Sequence, residues 1–199
     1  DLGAFESPYG SSSTQNISYN CMIVETGAEY QTIQAALDAV SDNQHIYLYP
    51  GIYSGTGNVG LTWPNKENVW LMASPDSDAT SRNVVLDAQQ ITRHIYQPFA
   101  VQWGIKELTL QNGFVGTQNA GLDHYGGSIH IAQNSSQHRL TIDSTIISAN
   151  QAQQGGAVYV GSGSQSQIVI NDSLVAKNQA EYGGVFLFGD LVIKGSAII

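Results

Sequence analysis

The chain is short of several things at once, and each shortage excludes something. Charged residues fill 12% of its 199 positions, against roughly 25% in ordinary soluble domains. Only 7 residues are Lys or Arg, against 16 Asp or Glu, for a net charge of −9. A field of that sign, with no basic cluster, makes nucleic acid and anionic lipid poor partners. The single cysteine, Cys21, allows no internal disulfide and reads as a small buried hydrophobe. No run reaches the ~18 consecutive apolar residues of a membrane helix. A signal peptide is missing too, and the first residue is Asp1 rather than Met, which fits a processed export product or an excised segment.

In place of charge the chain carries 21 Gly and 10 Tyr within a 42% apolar composition, a mixture suited to strands and turns. Its second half repeats. Leu140–Val160 (LTIDSTIISANQAQQGGAVYV) aligns without a gap on Ile168–Phe188 (IVINDSLVAKNQAEYGGVFLF), 28 residues on throughout. Asn150 falls on Asn178, and Gly155-Gly156 on Gly183-Gly184. A weaker copy upstream sets Leu108-Thr109-Leu110 against Leu140-Thr141-Ile142 and Gly126-Gly127 against Gly155-Gly156. A partial one begins at Leu191-Val192-Ile193. Three short strand-like runs recur per copy, as in Leu140–Ile142, Ile146–Ser148 and Ala157–Val160.

Strands this short bury nothing alone. Stacked repeat on repeat they would pair in parallel around one column-like core. The fold class expected is therefore all-β, a single parallel β-helix solenoid over 21–199, after an irregular arm over 1–20. The diglycines suit a sharp corner or a close approach of neighbouring repeats. Asn150 and Asn178 are either a stacked amide ladder or two exposed turn residues.

Upstream, candidate strands are Met22–Glu25, Ile46–Tyr49, Val69–Met72, Val84–Asp87 and Ile95–Ala100, read as less regular coils of the same type. One segment breaks the pattern. Thr32 precedes Ile33, Ala36, Leu37 and Val40, an N-cap residue before i, i+3, i+4, i+7 spacing. A short α-helix near 32–40 is expected to cap the first coil.

The stretch YQTIQAALDAVSDNQHIYLYPGIYSG resembles the opening of pectin-lyase-like right-handed β-helices, where such a segment forms the cap helix and the first strand and turn. GGSIHI, TIISANQAQQGGAVYV and LVAKNQAEYGGVFLF resemble the GGA[I/L/V] and FxxN repeats of polymorphic outer membrane proteins and similar adhesins. Gly155-Gly156-Ala157-Val158 matches the first motif, which Gly126-Gly127-Ser128-Ile129 and Gly183-Gly184-Val185-Phe186 follow loosely. Ile147-Ser148-Ala149-Asn150 and Val175-Ala176-Lys177-Asn178 follow the second, with β-branched residues in place of Phe. Spanning roughly residues 30–199, the resemblance implies a right-handed, single-stranded helix of strands. It also implies a secreted or cell-surface protein that displays a binding face or assembles with other subunits, with protein subunits or surface glycans as partners.

The same likeness raises an alternative, a polysaccharide lyase, hydrolase or esterase. Lyases of that fold need carboxylates around Ca²⁺ and a basic residue, and hydrolases need paired carboxylates. Asp143 and Asp172 come nearest to a pair, but in the alignment they occupy adjacent columns. Asp87 with Arg93 reads as a structural turn. His45, His94, His124, His130 and His138 lack metal-ligand spacing, and His124 with His130 reads as a surface pair. No catalytic, metal or cofactor residue is assigned, and the enzymatic question leans to no. An ice-binding face ranks last, since Thr109, Thr141 and Val169 give no sustained array.

Asn16, Asn134 and Asn171 begin Asn-x-Ser sequons and are possible glycan acceptors. The apolar final residues Ser196–Ile199 carry the expectation of a continuing chain or a partner at that end.

Overall fold

Runs such as VWLMA, RLTID and QIVIN alternate or concentrate β-branched and apolar residues between polar residues, so they extend rather than coil. The computed structural model describes residues 20–75, 79–116, 124–132, 137–161, 166–183, 186–187 and 190–199. The fold is mostly β, and among the described residues its strands pair in parallel except for Cys21–Ile23, which is antiparallel to both of its neighbours.

Four sheets hold the strands, with eight, six, three and five members. The chain visits them in a fixed order and returns. A first pass places His45–Leu48 in the eight-stranded sheet, Gly51–Tyr53 in the six-stranded sheet and Leu61–Thr62 in the five-stranded sheet. Val69–Ala73, Val84–Asp87 and Ile95–Gln97 make a second pass. The third adds the small sheet: Gln102–Lys106, Thr109–Gln111, Phe114–Val115, Ile129–Ile131. The fourth is Arg139–Asp143, Ile146–Ser148, Gln151–Gln154, Val158–Val160, and the fifth Gln167–Asn171, Leu174–Ala176, Gln179–Tyr182, Phe186–Leu187. Asp190–Lys194 and Ala197–Ile198 begin a sixth.

Between passes the strands pair in register, so like residues stack. In the eight-stranded sheet Ile46, Leu71, Ile105, Ile142 and Ile170 sit on successive rungs, and all are fully buried. In the six-stranded sheet Leu86, Leu110, Ile147 and Val175 form a second buried column. Each such side chain contributes roughly 1.5–3 kcal/mol on burial.

The helix Ile33–Ala39 closes one end of the core. Thr32 is its N-cap, its side chain accepting from the Ala35 N–H, while Ile33, Ala36 and Leu37 face inward. Cys21 is buried beside it, and burial pushes its thiol up to about 12, so it behaves as a small hydrophobe.

Three expectations are corrected. The first strand, Cys21–Ile23, is not a coil of the repeating type, because it runs antiparallel to both Ala28–Tyr30 and His45–Leu48. The hairpin and helix together turn this end away from the repeat. Leu108-Thr109-Leu110 does not stack on Leu140–Ile142. Leu110 pairs with Ile147, and Trp103-Gly104-Ile105 takes the place beside Leu140–Ile142. Both segments alternate apolar residues equally well, so pattern alone chose the wrong one. The offset here is 37 for Val115↔Ala152 but 29 for Tyr125↔Gln154, so eight extra residues lie between Val115 and Tyr125. Finally, each later pass holds four strands rather than three. The fourth kind, Gln151–Gln154, was hidden by its polar composition.

Candidate functional site

The residues singled out by repetition divide into inner ladders and outer columns. Asn150 is 1% exposed. Its Oδ1 accepts from the Gly113 N–H at 2.7 Å, and its Nδ2 donates to the Leu110 carbonyl at 3.2 Å. One repeat on, Asn178 does the same work. Its Oδ1 accepts from the Asn150 N–H at 3.1 Å and from Asn150 Nδ2 at 2.9 Å, and its own Nδ2 donates to the Ile147 carbonyl at 2.9 Å. The residue before each rung, Asn112, Ala149 or Lys177, is left-handed at φ 57°, 56° and 58°. That bend lifts the following N–H out of the strand ladder, and after Asn112 and Ala149 the amide of the next repeat satisfies it. Gly113 occupies the same rung upstream, where a Cβ would lie 2.0 Å from the Gly127 carbonyl oxygen.

A second ladder escaped the sequence reading. Thr145 Oγ1, Ser173 Oγ and Ser196 Oγ accept from the Leu108, Thr145 and Ser173 N–H groups at 3.4, 3.0 and 3.0 Å. Each donates to the carbonyl two residues earlier, at 2.8, 2.6 and 2.9 Å. Its signal was present as a hydroxyl residue two places beyond each of the last three strands of the eight-stranded sheet, Arg139–Asp143, Gln167–Asn171 and Asp190–Lys194. Ser173 completes the Asn171 sequon, so its hydroxyl already has a structural use. Asn171 itself is half-buried at a strand end beside Asp143 and Lys194. Asn16 and Asn134 lie outside the described residues, as does Gly184.

Gly126, Gly155 and Gly183 are left-handed at φ 64°, 64° and 67°, one per repeat, at the corner entering the five-stranded sheet. The Gly126 and Gly127 N–H groups bond to the Gln154 and Gly155 carbonyls at 2.9 and 3.1 Å, so Gly155-Gly156 sits directly over Gly126-Gly127.

The carboxylates form no catalytic pair. Asp143 lies opposite Asn171, with Lys106 Nζ 3.7 Å away. Asp87 fastens a turn, accepting from the Gln89 N–H, Asn112 Nδ2 and Gln111 Nε2 at 2.9, 3.0 and 3.1 Å. Partial burial pushes its carboxyl up, but those bonds together with the charge of His94 outweigh it and hold the group below the usual carboxylate range. Among the described residues no cluster of His, Cys, Asp and Glu is placed to hold a metal.

His94 is wholly buried. Nε2 is shared between the Leu86 and Gln111 carbonyls, both at 3.0 Å, and Nδ1 meets Ser128 Oγ at 3.1 Å. The carbonyls only accept, so Nε2 carries the proton. Desolvation lowers this imidazole to about 4, against the opposing pull of the two carbonyls and Asp87.

The expected surface pair of His124 and His130 is replaced by something denser. His130 points outward from its strand, between inward Ile129 and Ile131, yet it is only 4% exposed. Tyr96 and Tyr159 flank it on neighbouring rungs, with ring centroids 5.2 Å away on either side. Tyr125 stacks on Tyr159 at 4.3 Å and meets the imidazole edge-on at 5.7 Å. Arg93 Nη1 donates to His130 Nδ1 at 2.6 Å, and its guanidinium lies 5.9 Å from the Tyr96 centroid. A guanidinium cannot accept, so neutral His130 holds its proton on Nε2. Half-exposed Tyr96 and Tyr125 bring phenol rings to the surface above this packed base. The arrangement suits recognition by flat apolar contact with polar edges. No local pattern announced it, because Tyr125 and Tyr159 stand singly in QNAGLDHYGGSIHI and GGAVYV.

Comparison with protein families, curated proteins and solved structures gives no match.

Proposed function

We propose that the chain is a right-handed parallel β-helix of the pectin-lyase-like kind, exported to the cell exterior. On this reading it is an adhesin-like surface protein that displays outward columns of side chains to glycans or protein subunits. The observation that carries it is the like-for-like stacking of successive passes, which spends the interior on ladders and leaves outward residues in fixed rows. In the Tyr96–His130–Tyr159 row, half-exposed Tyr96 and the neighbouring Tyr125 form the accessible edge over buried His130 and Tyr159. Support for an exterior setting comes from the scarcity of Lys and Arg, the sequons and the resemblance to adhesin repeats.

At the end opposite the helix, Leu191, Ile193 and Ile198 are 41%, 42% and 39% exposed, although their partners Ile168, Ile170 and Val175 are buried. This edge suits further parallel strands, from the same polypeptide or from a neighbouring subunit.

The test is binding of labelled protein to intact cells and to immobilised surface glycans, beside an assay for product release from pectin, polygalacturonate and alginate. Saturable binding that Tyr125→Ala abolishes, with no product formed, is the expected result. Release of reducing ends or unsaturated sugars would replace this reading with the enzymatic one.

A further inference from the structure

Away from the aromatic row, a cleft of about 420 Å³ opens between the start of the helix, the turn 55–60 and the turn 88–92, within the size range of small-molecule sites. We propose that it binds a single neutral sugar residue. This goes beyond display by the long outer faces.

The walls are set before any ligand arrives. Gln89 and Gln90 are consecutive left-handed residues, at φ 52° and 58°, each costing about 1 kcal/mol or more. Three bonds hold them there: the Gln89 N–H to Asp87 Oδ1 at 2.9 Å, the Gln90 N–H to the Asn112 carbonyl at 2.8 Å, and the Ile91 N–H to the Ala88 carbonyl at 2.9 Å. On the opposite wall the Gln34 N–H donates to the Gly57 carbonyl at 2.8 Å, and Asn58 Oδ1 accepts from the Ile33 N–H at 3.2 Å.

The lining then selects the ligand. Val59 lies at the floor, and Ile91, 67% exposed, stands at the lip. The side chains of Thr56, Gln89 and Thr92 face this space with no hydrogen-bond partner among the described residues. None of the described lining residues is ionisable. Two hydroxyls, one amide and an isoleucine face match a ring with hydroxyls around one apolar side. A uronate would bring a carboxylate to a chain of net charge −9 with no cation in the cleft to receive it. An extended peptide would need a free strand edge, and Gln34 closes the nearest one. Its Oε1 accepts from the Thr62 N–H at 2.8 Å, and its Nε2 donates to the Thr62 carbonyl at 3.1 Å.

The experiment is a titration of isotope-labelled protein with methyl β-glucoside, methyl β-galactoside, methyl α-mannoside, methyl galacturonate and a Gly-Gln-Gly peptide, followed by amide chemical shifts. Expected is saturable, millimolar-class binding of at least one neutral glycoside, with shifts centred on Thr56, Gln89 and Thr92. Thr56→Val and Ile91→Ala, both at exposed positions, should weaken it by about tenfold while leaving thermal unfolding unchanged. The proposal is overturned if no neutral glycoside gives saturable shifts, if the uronate or the peptide binds as well, or if both variants bind like the parent. Failure of the display reading is scored separately, by Tyr125→Ala on cells.

Discussion

The two ends of the described fold differ in how their outermost core layer is covered. At the helical end the last core layer is covered. Ile33, Ala36 and Leu37 lie over the first strands, and the antiparallel hairpin ends the eight-stranded sheet. At the other end four parallel sheets stop at open rungs, and the side chains that continue the buried columns are about two-fifths exposed. A parallel ladder has no internal stop, because each rung offers the next the same donors, acceptors and apolar spacing. Only a segment that departs from the repeat can close it. The middle repeats show what such a ladder gains, since their bent backbone N–H groups are satisfied by amides and hydroxyls one rung on.

The sharpest way to break this contrast is core truncation at the two ends. Leu37→Ala should cost about 3 kcal/mol in urea unfolding, and Ile193→Ala less than about 1 kcal/mol, because its side chain is only partly removed from water. Equal costs would mean that the second end is covered in solution. Next comes the amide ladder. Asn150→Ala leaves the Gly113 N–H without its acceptor in a buried site and should lose about 2–3 kcal/mol, whereas Asn178→Ala, half-exposed, should lose about 1 kcal/mol.

Acidification tests the helical half through His94. The folded imidazole is lowered to about 4 from an unfolded value near 6.5, so the unfolded chain binds the extra proton. Stability is therefore complete above about pH 6.5 and falls by a few kcal/mol as the pH drops towards 4. Asp87, whose carboxyl is also held low, adds its loss only at more acidic pH, as the fall passes through its folded value. Unfolding free energies that stay flat from pH 7 to pH 4.5 would show that His94 is solvated. The smallest effect is expected at the helix cap, where Thr32→Ala removes the bond to the Ala35 N–H and should cost about 1 kcal/mol.

Much of this architecture was legible beforehand. The 28-residue register of Leu140–Val160 on Ile168–Phe188 stands in the pairing residue by residue, and the Thr32 cap and the helix lie where the apolar spacing sets them. Legibility failed where two segments carried the same pattern. Leu108–Leu110 and Trp103–Ile105 both alternate, and only the eight-residue insertion after Val115 tells which belongs beside Leu140. It failed again for polar strands such as Gln151–Gln154, whose place is fixed by neighbours rather than by their own hydrophobicity. The site was the least readable part. Arg93, Tyr96, His130, Tyr125 and Tyr159 span 67 positions of chain, and no local spacing joins them.

By itself, then, the order of residues determined the strand-rich character, the period and the glycine and asparagine corners, because those depend on local backbone preference and on short-range alternation. Tertiary packing alone decided which rung meets which, that His130 is buried against Arg93, and that the helix and hairpin close one end of the core. Such choices arise between segments far apart in the chain, where several registers satisfy the same local pattern and only simultaneous burial of all the columns separates them.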